Sequence, residues 1–566
     1  MNYYEYCIIG GGQSGIATCK TFSEKSNSII VLERQNGCNG MFCNIKEKDY
    51  FRWSTSSYMS GFSDFPMDTS KSWFSIKEYV SYLNSYKNHF NLERFFNYSS
   101  NVTKCTQESN GEWIIDYTKA YNKEKLRCKY LIICSGLNQV PKYPSIVRNE
   151  KNIYHTQEIY YMDKYEWISR FQNKQILLIG GSESAFDIGH MLVSIGAKVA
   201  FTQKNYIEWF STGDEPEENT KRVKKIENAC LKDTYSIIHT KHPTDTLLSY
   251  CEYLLPEPIS VLWHEYGRYL LYIRRYFVHF RGISTCSKCL HSNDALCEIT
   301  NTPNNLFQKM IVKRTEFLLD IHENKVKVIK YPSNISNGKV EYDNKHIDVD
   351  TIICATGYQK SFPFLDRSII DDNFIKKIIP QNTKNIAFIG FARPTMGSIA
   401  PLAEMQSWWV QKYFEGELQY SLRENYIFRT VNPLNLNNEH INSLVISCYY
   451  LKDLAKDLHI EPNLFKLFFN DYELFETIYF GSCHPMIYRI HGCKQYQGAR
   501  DTLIKTFPKL TDRGINDKLY LYSFLIATLL YYLILFIVVV VIIYISRRNR
   551  KNIYKFIETK YRAFSK

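Results

Sequence analysis

No cysteine framework runs through this chain. Sixteen cysteines are scattered over 566 residues without a repeating spacing. Cys286-Ser287-Lys288-Cys289 is the only C-x-x-C, and no second C-x-x-C or H-x-H accompanies it. A zinc module is therefore not expected, and the pair reads as two loop thiols. A signal peptide is also not expected, because a strand pattern starts within a few residues of Met1. Together these absences imply a reduced, cytosolic setting with free thiols. There is no Ser-His-Asp constellation and no paired-carboxylate motif to carry hydrolytic chemistry. Nucleic-acid binding is not expected either. More than half of the +13 formal charge lies in the last segment, Arg547 to Lys566, so the body is only mildly basic.

Charge is missing altogether from Leu519 to Ser546, where Leu, Ile, Val and Tyr dominate. That run exceeds the roughly 20 residues needed to cross a bilayer. Lys518 stands before it and Arg547-Arg548-Asn549-Arg550-Lys551 follows it, the flanks of a transmembrane helix. The lipid bilayer is thus an expected partner, through a single C-terminal anchor at 519–546 with a basic tail at 547–566. The endoplasmic reticulum is the expected membrane. The large domain is expected on the cytosolic side, since the tail inserts last.

The body carries two glycine-rich turns. The first is Cys7-Ile8-Ile9-Gly10-Gly11-Gly12-Gln13-Ser14-Gly15. The second is Ile176-Leu177-Leu178-Ile179-Gly180-Gly181-Ser182-Glu183-Ser184-Ala185. Each follows a short apolar strand and opens a helical pattern. Such a turn binds a pyrophosphate on free N–H groups at a helix N-terminus. Two turns imply two dinucleotides, and so hydride transfer between a flavin and a nicotinamide.

The strand after the first turn ends at Glu33, about twenty residues on, where an acid can accept hydrogen bonds from ribose. The strand after the second ends at Gln203 and Lys204, with no acid. A base suits a 2′-phosphate, so this half leans to NADPH. Strand Tyr130–Cys134 runs into Ser135 and Gly136, where backbone can approach a cofactor closely.

The fold class expected is α/β with two Rossmann-like domains. An FAD domain occupies 1–165 and 331–440, with an NADPH domain inserted at 166–330. A helical region at 441–510 caps the core. Strands Thr351–Cys354 and Asn385–Ile389 are both expected to rejoin the first sheet.

Several segments resemble the flavin-containing monooxygenases of the animal, N- and S-oxygenating type. Phe62-Ser63-Asp64-Phe65-Pro66 looks like the family's S-D-F-P segment, and Ala355-Thr356-Gly357-Tyr358 like its A-T-G-Y linker. Ala403-Glu404-Met405-Gln406 resembles the segment after the final FAD strand. Pro462-Asn463-Leu464-Phe465-Lys466-Leu467, Phe480-Gly481 through Tyr488-Arg489, and Gly498-Ala499-Arg500 look like its closing helices.

The resemblance implies FAD and NADPH as cofactors. It also implies O₂ activation as a flavin C4a-hydroperoxide, and an amine or thioether as small-molecule substrate. Gly40, Met41, Trp53 and Ser54 are expected near the isoalloxazine, with Thr356 and Gly357 also facing cofactor. The cofactor carries the hard step, so few acid–base residues are needed.

Three departures stand out. Ser54 occupies the position nine residues before Ser63 where the family usually has Asn. Ser182 replaces the middle glycine of the second turn. The F-x-G-x-x-x-H signature keeps only His155, with Asn149 and Lys151 at its Phe and Gly, and His155 is assigned no chemistry. Two alternatives follow: an uncoupled NADPH oxidase releasing H₂O₂, and a membrane-tethered flavoprotein without turnover.

Overall fold

The computed structural model describes residues 1–37, 40–46, 53–203, 207–209, 249–255, 310–312, 316–370, 374–381, 383–394, 397–418, 444–512 and 515–564. The Cys286/Cys289 pair and Lys204 lie outside these residues.

Two sheets organise the body. The first has strands β1 (Asn2–Ile9), β2 (Ile29–Leu32), β3 (Phe96–Asn97), β4 (Ser100–Gln107), β5 (Trp113–Lys119) and β6 (Asn122–Ile133) in the order β3-β2-β1-β6-β5-β4. β1 runs parallel to both β2 and β6, while β4, β5 and β6 form an antiparallel meander. The apolar run Cys7–Ile9 is buried because β1 is central and covered on both faces.

The second sheet has strands β7 (Ile153–His155), β8 (Gln175–Ile179), β9 (Lys198–Thr202), β10 (Val326–Val328) and β11 (Thr351–Cys354). Their order is β10-β9-β8-β11-β7, and every pairing is parallel. The chain then returns to the first sheet through β12 (Ile386–Phe388), parallel to Leu131–Ile133 of β6.

One expectation is corrected here. Thr351–Cys354 does not rejoin the first sheet; it pairs with Ile176–Ile179 of β8 and with β7 in the second. All four of its residues are buried. A strand buried on both faces reads alike in either sheet, so its pattern carried no address.

Helix α1 (Gln13–Ser23) follows β1 and packs on α4 (Ile399–Phe414), with Thr18 Oγ1 and Ser407 Oγ 3.0 Å apart. Between them in sequence lie α2 (Ile76–His89) and α3 (Glu183–Ser194). α2 starts at a capping box in which Ser75 and Glu78 satisfy each other's backbone N–H. The C-terminal region adds α5 (Ser447–Asp457), α6 (Leu464–Asn470) and α7 (Tyr472–Tyr479).

The cap also sets Cys448 of α5 beside Cys483, with Cα atoms 5.3 Å apart. Packing of the cap brings together residues that no local spacing relates.

The chain closes with α8 (Ile515–Phe564), 50 residues long. Leu521–Arg547 of it is long and apolar enough to cross a membrane, at 27 residues. At 1.5 Å per residue that is about 40 Å, more than a hydrocarbon core requires. Its apolar side chains are largely exposed from Ile526 to Ile545.

Candidate functional site

β1 ends in a turn that only glycine can make. Gly10 has φ +106°, and a Cβ on it would lie 2.6 Å from the Cys134 carbonyl oxygen. A Cβ on Gly15 would stand 1.9 Å from the Gly10 oxygen. Helix and strand ends are thereby pressed together. The N-cap of α1 is Gly12, which has no side chain to cap the helix. The N-terminal N–H groups of α1, next to Gln13, Ser14 and Gly15, thus meet no side-chain cap.

Glu33, buried at the end of β2, accepts from Gly11 N at 2.6 Å and from Gln35 N at 2.9 Å. Gly40 sits over the turn, where a Cβ on it would lie 3.2 Å from Gly12 Cα. Met41 Sδ is 3.8 Å from Asn138 Nδ2. Ser135 Oγ and the Gly136 carbonyl both accept from Gln139 Nε2, which fixes the loop after β6 beside Gly10. The turn therefore gathers Gly10, Gly11, Gly12, Glu33, Gly40, Ser135 and Gly136 at one strand edge.

Trp53 packs among Phe42, Tyr79 and Phe74, with ring centroids 4.7, 4.5 and 5.4 Å away. Tyr79 OH in turn donates to Gln13 Oε1 at 2.7 Å. This aromatic wall is tied to the first residue of α1. Ser54, the next residue, is exposed.

The second turn repeats the geometry. Gly180 has φ +126°, and a Cβ there would lie 2.3 Å from the Ala355 oxygen. α3 has Ser182 at its N-cap, in extended backbone with φ −102°, and its side chain makes no cap hydrogen bond. Gly181, Ser182, Glu183 and Ser184 are half-buried along the rim, while Ala185 is buried. Gln203 stands over Gly181, where a Cβ would meet its Oε1 at 2.0 Å. That is the place Glu33 holds over Gly11.

The strands between the two sheets are zipped together. Tyr358–Gln359 pairs antiparallel with Val140–Pro141, and Thr356 Oγ1 donates to the Lys142 oxygen. The Gly357 oxygen accepts from Lys142 N at 2.9 Å and lies 3.0 Å from His155 Nε2. His155 Nδ1 accepts from Gln157 N at 3.2 Å, so the network assigns the proton to Nε2. Burial holds the His155 pKa below the usual range, partly offset by the Gly357 carbonyl and Glu158. Thr356 and Gly357 therefore belong to the crossing, and His155 fastens it.

Sequence reasoning left one cluster unassembled. Arg489 Nε donates to Ser63 Oγ at 2.7 Å, and Arg489 Nη2 to Asp64 Oδ2 at 3.0 Å and Glu404 Oε1 at 2.7 Å. Ser63 N and Oγ donate to the two Glu404 oxygens, and Lys20 Nζ reaches Asp64 at 2.6 Å. Two cations face two carboxylates, which keeps the buried charges compensated. Burial works to raise Asp64, but Arg489 and Lys20 outweigh it and hold its carboxyl below the usual range. Burial pushes Glu404 up, against Arg489. In the sequence Asp64, Glu404 and Arg489 stand in three separate segments, and no local spacing relates them.

Comparison with known proteins agrees with this geometry. Residues 309–546 match the flavin-binding monooxygenase-like family model, and residues 7–241 match the pyridine nucleotide-disulphide oxidoreductase model. Flavin-containing monooxygenase 2 of Homo sapiens is 26% identical over 565 residues, covering 92% of this chain and 96% of that protein. A 4-hydroxybenzoate brominase (decarboxylating) of Pseudoalteromonas luteoviolacea is 26% identical over 488 residues, covering 81% and 85%. The solved S-allyl-L-cysteine S-oxygenase of Allium sativum aligns with a TM-score of 0.53 at 14% identity, over 83% of this chain and 92% of that one, and shares the fold. With family models matching residues 7–241 and 309–546, and with relatives along nearly its whole length, the chain is similar to the flavin-containing monooxygenases, and the matches imply FAD and NADPH as cofactors.

Proposed function

We propose that this protein is an NADPH-dependent flavin monooxygenase that oxygenates soft nitrogen or sulfur nucleophiles. The observation that carries the reading is the pair of glycine turns, each at a helix N-terminus without a side-chain cap, joined by one zipped crossing. Both turns are Rossmann-like in this reading.

Gly10 to Gly15 would hold the FAD pyrophosphate and Glu33 its ribose. Gly40, Met41, Trp53, Ser54, Ser135 and Gly136 would border the ring. Gly180 to Ala185, including Ser182, Glu183 and Ser184, would hold NADPH, with Gln203 and Lys204 toward the 2′-phosphate. Bound there and reduced by NADPH, a flavin would supply the activation of O₂, one of whose atoms goes to the substrate while the other leaves as water. The chain's own work is to bind and orient, and to exclude water. The Trp53–Phe42–Tyr79–Phe74 wall suits that last task. Thr356 and Gly357, with His155, fix how far one turn stands from the other.

α8 is read as the membrane anchor, with the catalytic body on the cytosolic side and the endoplasmic reticulum as the membrane.

The test is purification of the full chain in detergent. A flavin spectrum is expected, bleached anaerobically by NADPH. Aerobic NADPH consumption should rise with a thioether or tertiary amine, with product matching NADPH. A colourless protein overturns the reading. Ketone and 4-hydroxybenzoate-plus-bromide arms delimit the substrate class, the second because a relative bears that name.

A second reading, an NADPH oxidase releasing H₂O₂, is favoured by Ser54. It offers one exposed hydroxyl where the family usually has an amide with two donors and an acceptor. A product yield far below NADPH consumed, with H₂O₂ making up the difference, would select it.

A further inference from the structure

The helix α6 presents an aromatic face that stands exposed among the described residues. Phe465 is 77% exposed and Phe469 69%, with Phe468 and Tyr472 beside them. Four large rings on one short stretch are not the scattered single apolar residues that any surface shows.

The opposite face of α6 says where those rings stand. Leu464 and Leu467 pack into the same cluster as Leu521, Phe524 and Leu525 of α8. A relay of rings makes the same link. Phe468 contacts Phe475 at 5.1 Å, Phe475 contacts Tyr479 at 5.1 Å, and Tyr479 contacts Phe480 at 4.9 Å. Phe480 then contacts Tyr522 of α8 at 5.4 Å. α8 leaves the body just beyond, at Ala527 and Thr528, the last of its buried residues.

From Leu521 to Thr528 the rise is about 10 Å. The headgroup layer on each side of a bilayer is somewhat thinner, about 5–8 Å. The outer face of α6 therefore lies at the level where α8 enters the membrane. Lys466, exposed on the same helix, adds a cation at that level.

We propose that α6 and the start of α7 form a second membrane contact, an interfacial platform whose rings Phe465, Phe468 and Phe469 of α6 and Tyr472 of α7 sit among the headgroups and upper acyl chains beside the anchor. The proposal rests on the reading of α8 as a transmembrane helix. The occupant is phospholipid, because the patch is continuous with a lipid-facing helix and its chemistry is aromatic with a basic neighbour. Two contacts restrain the tilt of the body where one would leave it swinging.

The test uses the full-length protein in nanodiscs of phosphatidylcholine and phosphatidylserine. One preparation carries a phospholipid with a diazirine near the glycerol, the other a phospholipid with a diazirine at the acyl terminus. After irradiation, adducts are mapped on peptides. The shallow probe should label 464–472, and the deep probe 529–545 only. The double variant F465S/F469S should lose label at 464–472 by about fivefold while label at 529–545 is unchanged.

Label confined to 529–545 with both probes overturns the platform and leaves the anchor standing. Crosslinks from 464–472 to a second protein chain overturn it in favour of a protein partner. Absence of label from both segments overturns the anchor, and the platform with it.

Discussion

The two glycine turns share a backbone and differ at one carboxylate. In both, a glycine at φ above +100° abuts the carbonyl of a neighbouring strand, and a helix opens without a side-chain cap. Over Gly11 stands Glu33, held by two backbone N–H groups; over Gly181 stands Gln203, which is neutral. In the function proposed above, the backbone is the shared receptacle for pyrophosphate, and nucleotide choice falls to the side chain at the end of the next strand.

The largest test of that division removes the shared part. Gly10→Ala and Gly180→Ala each force a Cβ against backbone at a positive φ, at a cost of about 2–3 kcal/mol, or roughly a hundredfold in affinity. Gly10→Ala should yield protein with little bound flavin, read from the visible spectrum. Gly180→Ala should stay yellow yet be reduced anaerobically only at far higher NADPH. Loss of both cofactors from either variant would mean the turns are not independent.

Exchanging the unshared part should have a smaller effect. Gln203→Glu places a carboxylate where a 2′-phosphate is expected, and should lower the NADPH-to-NADH ratio of kcat/KM by about tenfold. An unchanged ratio would move the selection elsewhere.

Ser54→Asn restores the amide usual in the family. It should raise product per NADPH and lower H₂O₂ by about fivefold, the worth of one hydrogen bond near 1 kcal/mol. No change in that partition would remove Ser54 from the coupling.

The smallest expected effect concerns the crossing common to both turns. His155 has a depressed pKa through burial, so its contribution to stability is present above its ordinary 6.5 and is lost as the pH falls below it. His155→Gln should flatten that acid limb of the thermal midpoint, by about 1–2 °C. A limb of unchanged steepness would assign it to another group.

How legible each part was follows from how local its cause is. The turns were readable because glycine, strand and helix lie within fifteen residues, and Glu33 follows one strand later. The sheet that takes Thr351–Cys354 was not, since a strand buried on both faces looks the same wherever it pairs. Cys448 and Cys483 gave no signal in their spacing. The role of His155 depends on Gly357, in a segment far along the chain. At Ser182 the backbone is extended, a conformation open to any residue, so no positive φ calls for glycine there.

The Arg489 node sets an order of events during synthesis. Ser63 and Asp64 emerge early, yet Arg489, which donates to Asp64, lies 425 residues beyond it in the chain. Until then Asp64 has Lys20 alone, and once Glu404 has emerged, closing that corner would leave two carboxylates to one lysine. Completion of the N-terminal half therefore waits on translation of nearly everything else. A truncation before position 489 should reach the cell's quality control with its first half still ajar.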